Sequence, residues 1–228
     1  MINRPTFKHV PIDLGYNDIE AVTAPSGRTY KAPDGNHYPS VTTVLGVLNR
    51  DSIAAWRARV GEEEANKISG KAARRGTAVH DLVEKYLDND DIGEPLPHVL
   101  NSLTNLRPIL DNRIGEIYAQ EAPLYSKYLG VAGRVDCVGQ FDGVPAIIDF
   151  KTSRKKKKKE WITNYFIQEA CYAIMWEERT GMPIVNLVTI MDVDGDDPVV
   201  FVEHRDNWVD KLKDTIALYH QEQRTRPL

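Results

Sequence analysis

The eight residues Ala146-Ile147-Ile148-Asp149-Phe150-Lys151-Thr152-Ser153 constrain this chain more than any other stretch. An apolar run that ends in an acid and a base predicts a strand, and a strand alternates its side chains between two faces. Asp149 and Lys151 therefore point the same way, with Phe150 between them. This arrangement describes either an ion pair at a strand end or a pocket in which a cation-binding carboxylate works beside an ammonium. Upstream, Gly133-Arg134-Val135-Asp136 places a second acid on the preceding predicted strand.

Two carboxylates and a backbone carbonyl suit a hard cation such as Mg2+, which takes oxygen ligands and keeps several waters. Beside a phosphate such an ion polarises the phosphoryl oxygen, lowers the pKa of a bound water and orients in-line attack. Lys151 would place or deprotonate that water, or neutralise charge growing in the transition state. Asp136, Asp149 and Lys151 together point to metal-dependent phosphodiester hydrolysis.

At 228 residues the chain could form one large domain or, less readily, two small ones, and 42% hydrophobic content is enough for a real core. No stretch approaches the roughly 20 apolar residues of a membrane span, and residues 1–20 lack the apolar segment of a secretory signal, so a cytoplasmic location and no membrane partner are expected. Cys137 and Cys171 are too few for a disulfide scaffold or a four-cysteine cluster. Net charge is −4, yet Lys151, Arg154 and Lys155 through Lys159 gather seven bases with no acid among them, leaving 22 bases against 33 acids elsewhere. A field of this sign directly after Lys151 draws a polyanion to one place. The run also fits a solvated loop, and a basic loop still collects phosphates.

Along the chain, residues 1–38 are polar, with Pro33-Asp34-Gly35-Asn36 in a hairpin-like turn. Ser40 caps an apolar-periodic stretch from Val41 to Leu48. Asp51 opens a second helix to about Lys67, and a third begins near Lys71 and carries Val79, Leu82, Val83, Tyr86 and Leu87 at helical spacing. A fourth, His98 to about Ile114, is kinked or interrupted by Pro108. Strands follow over Glu116–Ser126, Val131–Phe141 and Pro145–Lys151, then a helix from about Glu160 to Arg179, strands over Pro183–Asp192 and Val199–Arg205, and a closing helix capped by Asp206 with Trp208, Leu212, Ile216 and Tyr219 on its apolar face. His80 and Glu84 share one face of the third helix, and Gln168 and Tyr172 one face of the later one. Gly76 and Ala78 would permit close approach of a sheet or a nucleic-acid backbone. Each pair also fits ordinary helix surface or core.

Taken in order, Gly76-Thr77-x-x-His80, Glu121, Gly133-x-x-Asp136, Asp149-x-Lys151 and Gln168-x-x-x-Tyr172 resemble the RecB-type branch of the PD-(D/E)xK nuclease superfamily. Pro39-Ser40-Val41-Thr42-Thr43-Val44-Leu45, Val135-Asp136-Cys137-Val138-Gly139-Gln140 and Ile148-Asp149-Phe150-Lys151-Thr152-Ser153 are similar to the mitochondrial genome maintenance exonuclease family and its phage relatives, from about Tyr38 onward.

The resemblance implies an α/β fold with a restriction-endonuclease-like core (αβββαβ, a central mixed sheet flanked by helices) and additional N-terminal helices. Residues 1–38 would be a polar segment with a hairpin and residues 39–228 one nuclease domain, of which 39–70 form an arch-like helical insertion and 71–228 the catalytic core. It implies Mg2+ or Mn2+ held by His80, Asp136, Asp149 and the Phe150 carbonyl, a shell that tolerates either ion, and no iron-sulfur cluster. Lys151, Asp149, Asp136, Glu121 and Gln168 are the implied catalytic residues, with Glu84 a further acidic position. DNA contacts are expected from Tyr172, Thr77, Ser153, Arg154, Lys155, Lys156 and Lys157. Trp56, Arg57, Arg74 and Arg75 could supply stacking and phosphate contacts, and equally fit ordinary helix residues. The expected activity is a DNA exonuclease on single strands with free ends, monomeric, working beside recombination or replication proteins. The polar start, where metazoan members carry a presequence, favours a phage or bacterial source. A structure-specific endonuclease, or a non-catalytic DNA-binding protein on the same fold, are the alternatives.

Overall fold

Three consecutive strand-forming runs become the long antiparallel strands β4 (Ile114–Ser126), β5 (Val131–Phe141) and β6 (Val144–Ser153) in a computed structural model that describes residues 5–225. The outermost ends of the expected N-terminal segment and closing helix, residues 1–4 and 226–228, lie outside the described residues. Before these strands come β1 (Glu20–Ala24), β2 (Gly27–Lys31), β3 (His37–Pro39), α1 (Val41–Leu45), α2 (Arg50–Val60), α3 (Glu62–Leu87) and α4 (Pro97–Arg113). After them come α5 (Thr163–Thr180), β7 (Asn186–Val193), β8 (Val199–His204) and α6 (Val209–Thr225). The chain has a mixed α/β fold whose central sheet runs in the order β4-β5-β6-β7-β8. Within that sheet β6 and β7 pair in parallel and the other neighbours antiparallel, which requires the α5 crossover between β6 and β7. A separate antiparallel sheet, β1-β2-β3, contains the expected hairpin between Ala32 and Asn36.

Helices cover both faces of the central sheet because its strands are apolar on both faces. Ile147 belongs to the core shared with α1, α5 and α6, and its neighbour Ile148 to the core shared with α3 and α4. Period two thus sends successive residues of β6 into opposite layers. Cys137 and Cys171 are buried, one in each layer, and burial pushes both thiols up.

Several boundaries differ from the sequence expectation for local reasons. The break between the second and third helices falls at Gly61, whose φ of +87° suits a glycine, and not near Lys67–Lys71. Glu62, Glu63 and Glu64 then occupy the first turn of α3, where the helix dipole favours acids. Gly70 costs about 1 kcal/mol in a helix interior, which a 26-residue helix with a buried C-terminal half absorbs. The α4 helix runs through Pro108 without ending; Thr104 and Pro108 are both exposed, so the carbonyl that the proline leaves without a donor faces water. Ser40 caps α1 as expected, accepting from the Thr43 amide at 3.0 Å. Asp206 does not cap the last helix: it lies in a short 3-10 turn, and α6 starts at Val209.

One feature of β5 ties the sheet to α5. A methyl group at Gly133 would stand 2.8 Å from Tyr172 Cε1 and 3.3 Å from Val41 Cγ2. Gly133→Ala must therefore displace the Tyr172 ring, and overpacking of this kind costs about 1–3 kcal/mol. Thermal unfolding is expected to show that loss, whereas Gly76→Ala, which meets only Thr152 Oγ1 at 3.9 Å, is governed by helix propensity and stabilises slightly.

Candidate active site

Strands β5 and β6 pair only from Phe141↔Val144 to Cys137↔Ile148 and then part, β5 staying with β4 and β6 with β7. The gap opens at Asp136 on one strand and Asp149 on the other. The Phe150 amide, which faces the gap, donates to Asp136 Oδ2 at 2.9 Å. The N–H and C=O of one strand residue point to the same edge, so the Phe150 carbonyl faces the same gap.

Elements from both layers converge there. On α3, Thr77, His80, Asp81 and Glu84 recur at helical spacing and line a cleft of about 480 Å³, while Val79, Leu82, Val83 and Tyr86 turn into the core. Gln168 and Tyr172 of α5, Lys151 of β6, and Arg28, Tyr30 and Thr42 of the N-terminal part line the same cleft. Gln168 Nε2 donates to Tyr172 Oη at 3.2 Å. His80 Nδ1 lies 3.4 Å from Asp136 Oδ2. One ligand atom each from His80, Glu121 and Asp136 lie within 4.8 Å of one another.

Glu121 reaches this group by an unusual backbone. Gln120 faces Cys137 and Ala122 faces Val135, which sets Glu121 opposite Asp136. Its φ of +43° lies in the left-handed region, which non-glycine residues rarely adopt. The Arg134 guanidinium donates to the Glu121 carbonyl and also pairs with Asp18 at 2.5 Å, so a side chain of β5 braces the irregular residue of β4.

Asp149 stands apart from that triad. It is 1% exposed and takes the Lys151 ammonium on Oδ2 as its counter-charge, with no other donor to either carboxylate oxygen among the described residues. Burial pushes its carboxyl up to about 6, with Lys151 pulling it back. Burial opposes the charge on Lys151, but Asp149 and Asp136 outweigh it and hold the amine protonated above its usual range. Burial, then Asp136 and Glu84, push Glu121 up to about 7. Glu84 is raised for the same reasons, burial first and then Asp88 and Asp81. Carboxylates thus outnumber cations around the cleft. Their surplus and the converging nitrogen and oxygen atoms of His80, Glu121 and Asp136 together fit a divalent cation with a mixed N/O shell.

The remaining sequence candidates lie elsewhere or are already engaged. Arg57 is forked onto Glu62 and donates to Asn66 at 2.6 Å. Arg75 pairs with Asp192 at 2.7 Å and Asp194 at 2.5 Å, lining a separate cavity of about 740 Å³ between α4 and the turn before β8. Asn105 donates to Asp192 at 3.0 Å in that cavity. Trp56 is half-buried, Arg74 is exposed, and neither lines the cleft. Ser153 caps its own loop, accepting from the Lys155 amide at 3.4 Å and donating to the Lys155 carbonyl at 2.7 Å. Lys156 pairs with Asp196 and Lys159 with Glu203, whereas Arg154 and Lys155 are exposed.

Sequence reading missed two residues. Arg134 sits inside the Gly133-x-x-Asp136 motif but carried no periodic signal. Glu169 is fully buried on α5, accepts from Thr189 Oγ1, and leaves Oε2 without a partner among the described residues. Burial, reinforced by Asp149, raises its carboxyl well above the ordinary range. The available signal was a charged residue amid Phe166, Ile167, Ala170 and Cys171.

No known family model matches the chain. It is 25% identical over 177 residues to Mitochondrial genome maintenance exonuclease 1 of Homo sapiens, an alignment covering 65% of this chain and 51% of that protein. The chain thus spans about half the length of the curated relative it matches. Among solved structures, it is similar to a protein of Eubacterium rectale described as a candidate exonuclease, with a TM-score of 0.46, 13% identity and 65% of each chain covered. A further likeness, to the protein SSO0001, has a TM-score of 0.36 and 14% identity over 77% of this chain and 74% of that one. This chain is a distant relative of an exonuclease.

The crowding of acids has a measurable consequence for stability. Glu121 titrates near 4.5 when unfolded and about 7 when folded, so its contribution is fully present below the lower value and is lost as pH rises through the upper one. Glu121→Gln is expected to raise the melting temperature of metal-free protein at pH 8 and leave it unchanged at pH 4. The gain corresponds to roughly 1–2 kcal/mol once the shift is discounted for solvent screening. Calorimetry in a chelator at the two pH values checks this.

Proposed function

We propose that this chain is a divalent-metal-dependent DNA exonuclease of the RecB-type PD-(D/E)xK kind, acting on single-stranded DNA with free ends in phage or bacterial replication, recombination or repair. One observation carries the reading: His80, Glu121 and Asp136 present ligand atoms within 4.8 Å of one another beside the pair of buried Asp149 with half-buried Lys151. The distant likeness to a protein named as a genome maintenance exonuclease supports DNA as the substrate. Residues 39–70 are assigned as the arch-like insertion and 71–228 as the catalytic core, in a monomer of the cytoplasm. No helix among the described residues is long and apolar enough to cross a membrane.

In this reading His80, Asp136, Asp149 and the Phe150 carbonyl hold Mg2+ or Mn2+, with Glu121 a further acid at the same place. When bound, the ion supplies Lewis-acid polarisation of a phosphoryl oxygen and a water of lowered pKa. Lys151, paired with Asp149, would place positive charge where negative charge grows on the phosphate, or help place or deprotonate the attacking water. Asp136, tied by its Oδ2 to the Phe150 amide, keeps one carboxylate at a set orientation across the gap. Gln168, bonded to Tyr172, presents an amide on the α5 side of the cleft, and Thr77 a hydroxyl on the α3 side.

End-labelled linear and circular single-stranded DNA, incubated with Mg2+, Mn2+ or EDTA, test the proposal. The linear strand is expected to shorten from an end with either metal and to survive EDTA, while the circle persists. Cutting of the circle at a similar rate would return an endonuclease, and metal-independent cutting would remove the site as drawn. Lys151→Ala is expected to lower kcat about 10²–10³-fold while calorimetric Mn2+ binding persists. Asp149→Ala is expected to lose both, with the fold of each variant checked by circular dichroism.

A further inference from the structure

The lysine run after β6 divides into tethers and unpaired cations. Lys156 pairs with Asp196 at 2.6 Å, and Lys159 pairs with Glu203 of β8, so two ion pairs hold the loop against the far edge of the sheet. Arg154, Lys155 and Lys158 have no acidic partner among the described residues. Aromatic rings lie against lysines of the run. Lys157 donates to Tyr165 Oη at 3.0 Å and lies 5.3 Å from the centre of that ring. Lys158 lies 5.5 Å from the centre of Trp161, which is 64% exposed. Tyr165 also neighbours Lys151, whose Nζ lies 5.1 Å from its ring centre.

A lone exposed indole means nothing by itself. Here it ends a path in which Tyr165 lies between Lys151 and Lys157 and Trp161 lies against Lys158, and two ion pairs hold the loop that carries it. Cations that follow a backbone, interleaved with rings that accept bases, suit a flexible polyanion carrying unpaired aromatic groups. A duplex does not qualify, because stacking already covers the faces of its bases. We propose that this path is a binding track for single-stranded nucleic acid, with phosphates on Arg154, Lys155 and Lys158 and an unpaired base stacked on Trp161. It rests on the nuclease reading only in making Lys151 the cleavage end of the track.

Fluorescence anisotropy of a labelled thymidine oligonucleotide and of a duplex, measured in EDTA, tests this directly. Trp161→Ala is expected to weaken single-strand binding about 5- to 100-fold, with duplex binding unchanged and most of the affinity kept by Trp161→Phe. The double variant Lys155→Gln, Lys158→Gln is expected to lower the slope of log affinity against log salt by about 1.4, roughly 0.7 per charge. Equal single-strand affinity in Trp161→Ala, or an equal loss on the duplex, overturns the track, as does a wild-type protein that binds no single strand. Cleavage in Mg2+ is read in parallel. A wild type that binds single strands through Trp161 but never cuts removes the nuclease reading and leaves the track standing; cutting that persists while Trp161→Ala binds normally does the reverse.

Discussion

The parting of β5 and β6 beyond Cys137↔Ile148 is the constraint on which the rest of the site depends. Two strands that separate inside a covered sheet leave backbone groups without their ladder partners, and such groups must find others. The Phe150 amide finds the Asp136 carboxylate. That single bond orients one acid across the gap, brings the Phe150 carbonyl to face it, and admits side chains from both helical layers. His80 arrives from α3, and Gln168 and Tyr172 from α5, because the opening belongs to neither layer alone.

Charge is arranged around that opening with acids in excess. Asp149 is buried and held by Lys151 next to it, and removing either partner of such a pair strands a charge at a cost of about 3–5 kcal/mol. Glu121 holds a left-handed backbone conformation of the sort that costs about 1–3 kcal/mol, and Arg134 braces it from the adjacent strand. A protein built only for stability has little use for a strained glutamate facing Asp136, Glu84 and Asp81. The arrangement is intelligible as a receptor for positive charge, and a divalent cation with N and O ligands is the species it suits.

The larger cavity beside α4 offers a useful contrast. Arg75, Asn105 and Asp192 already pair with one another there, so its buried carboxylate is matched, which makes it a poorer candidate than the smaller cleft. The same test separates the bases of the lysine run: those paired with Asp196 and Glu203 hold the loop in place, and those left over remain able to meet an anion.

Local periodicity in the sequence was enough to determine the three-strand meander, the α5 helix and the amphipathic faces of α3 and α6, since those signals repeat every two or 3.6 residues. It also determined that Asp149 and Lys151 share a face, and that His80 and Glu84 do. It could not place Glu121 against Asp136, because that contact depends on the register of β4 with β5 and on a positive φ that no residue type announces. The bracing by Arg134, the burial of Glu169 and the capture of Arg57 and Arg75 by distant or neighbouring acids were decided by tertiary structure alone. A charged side chain takes whichever counter-charge the folded chain brings within a few ångströms, and sequence spacing does not record that distance.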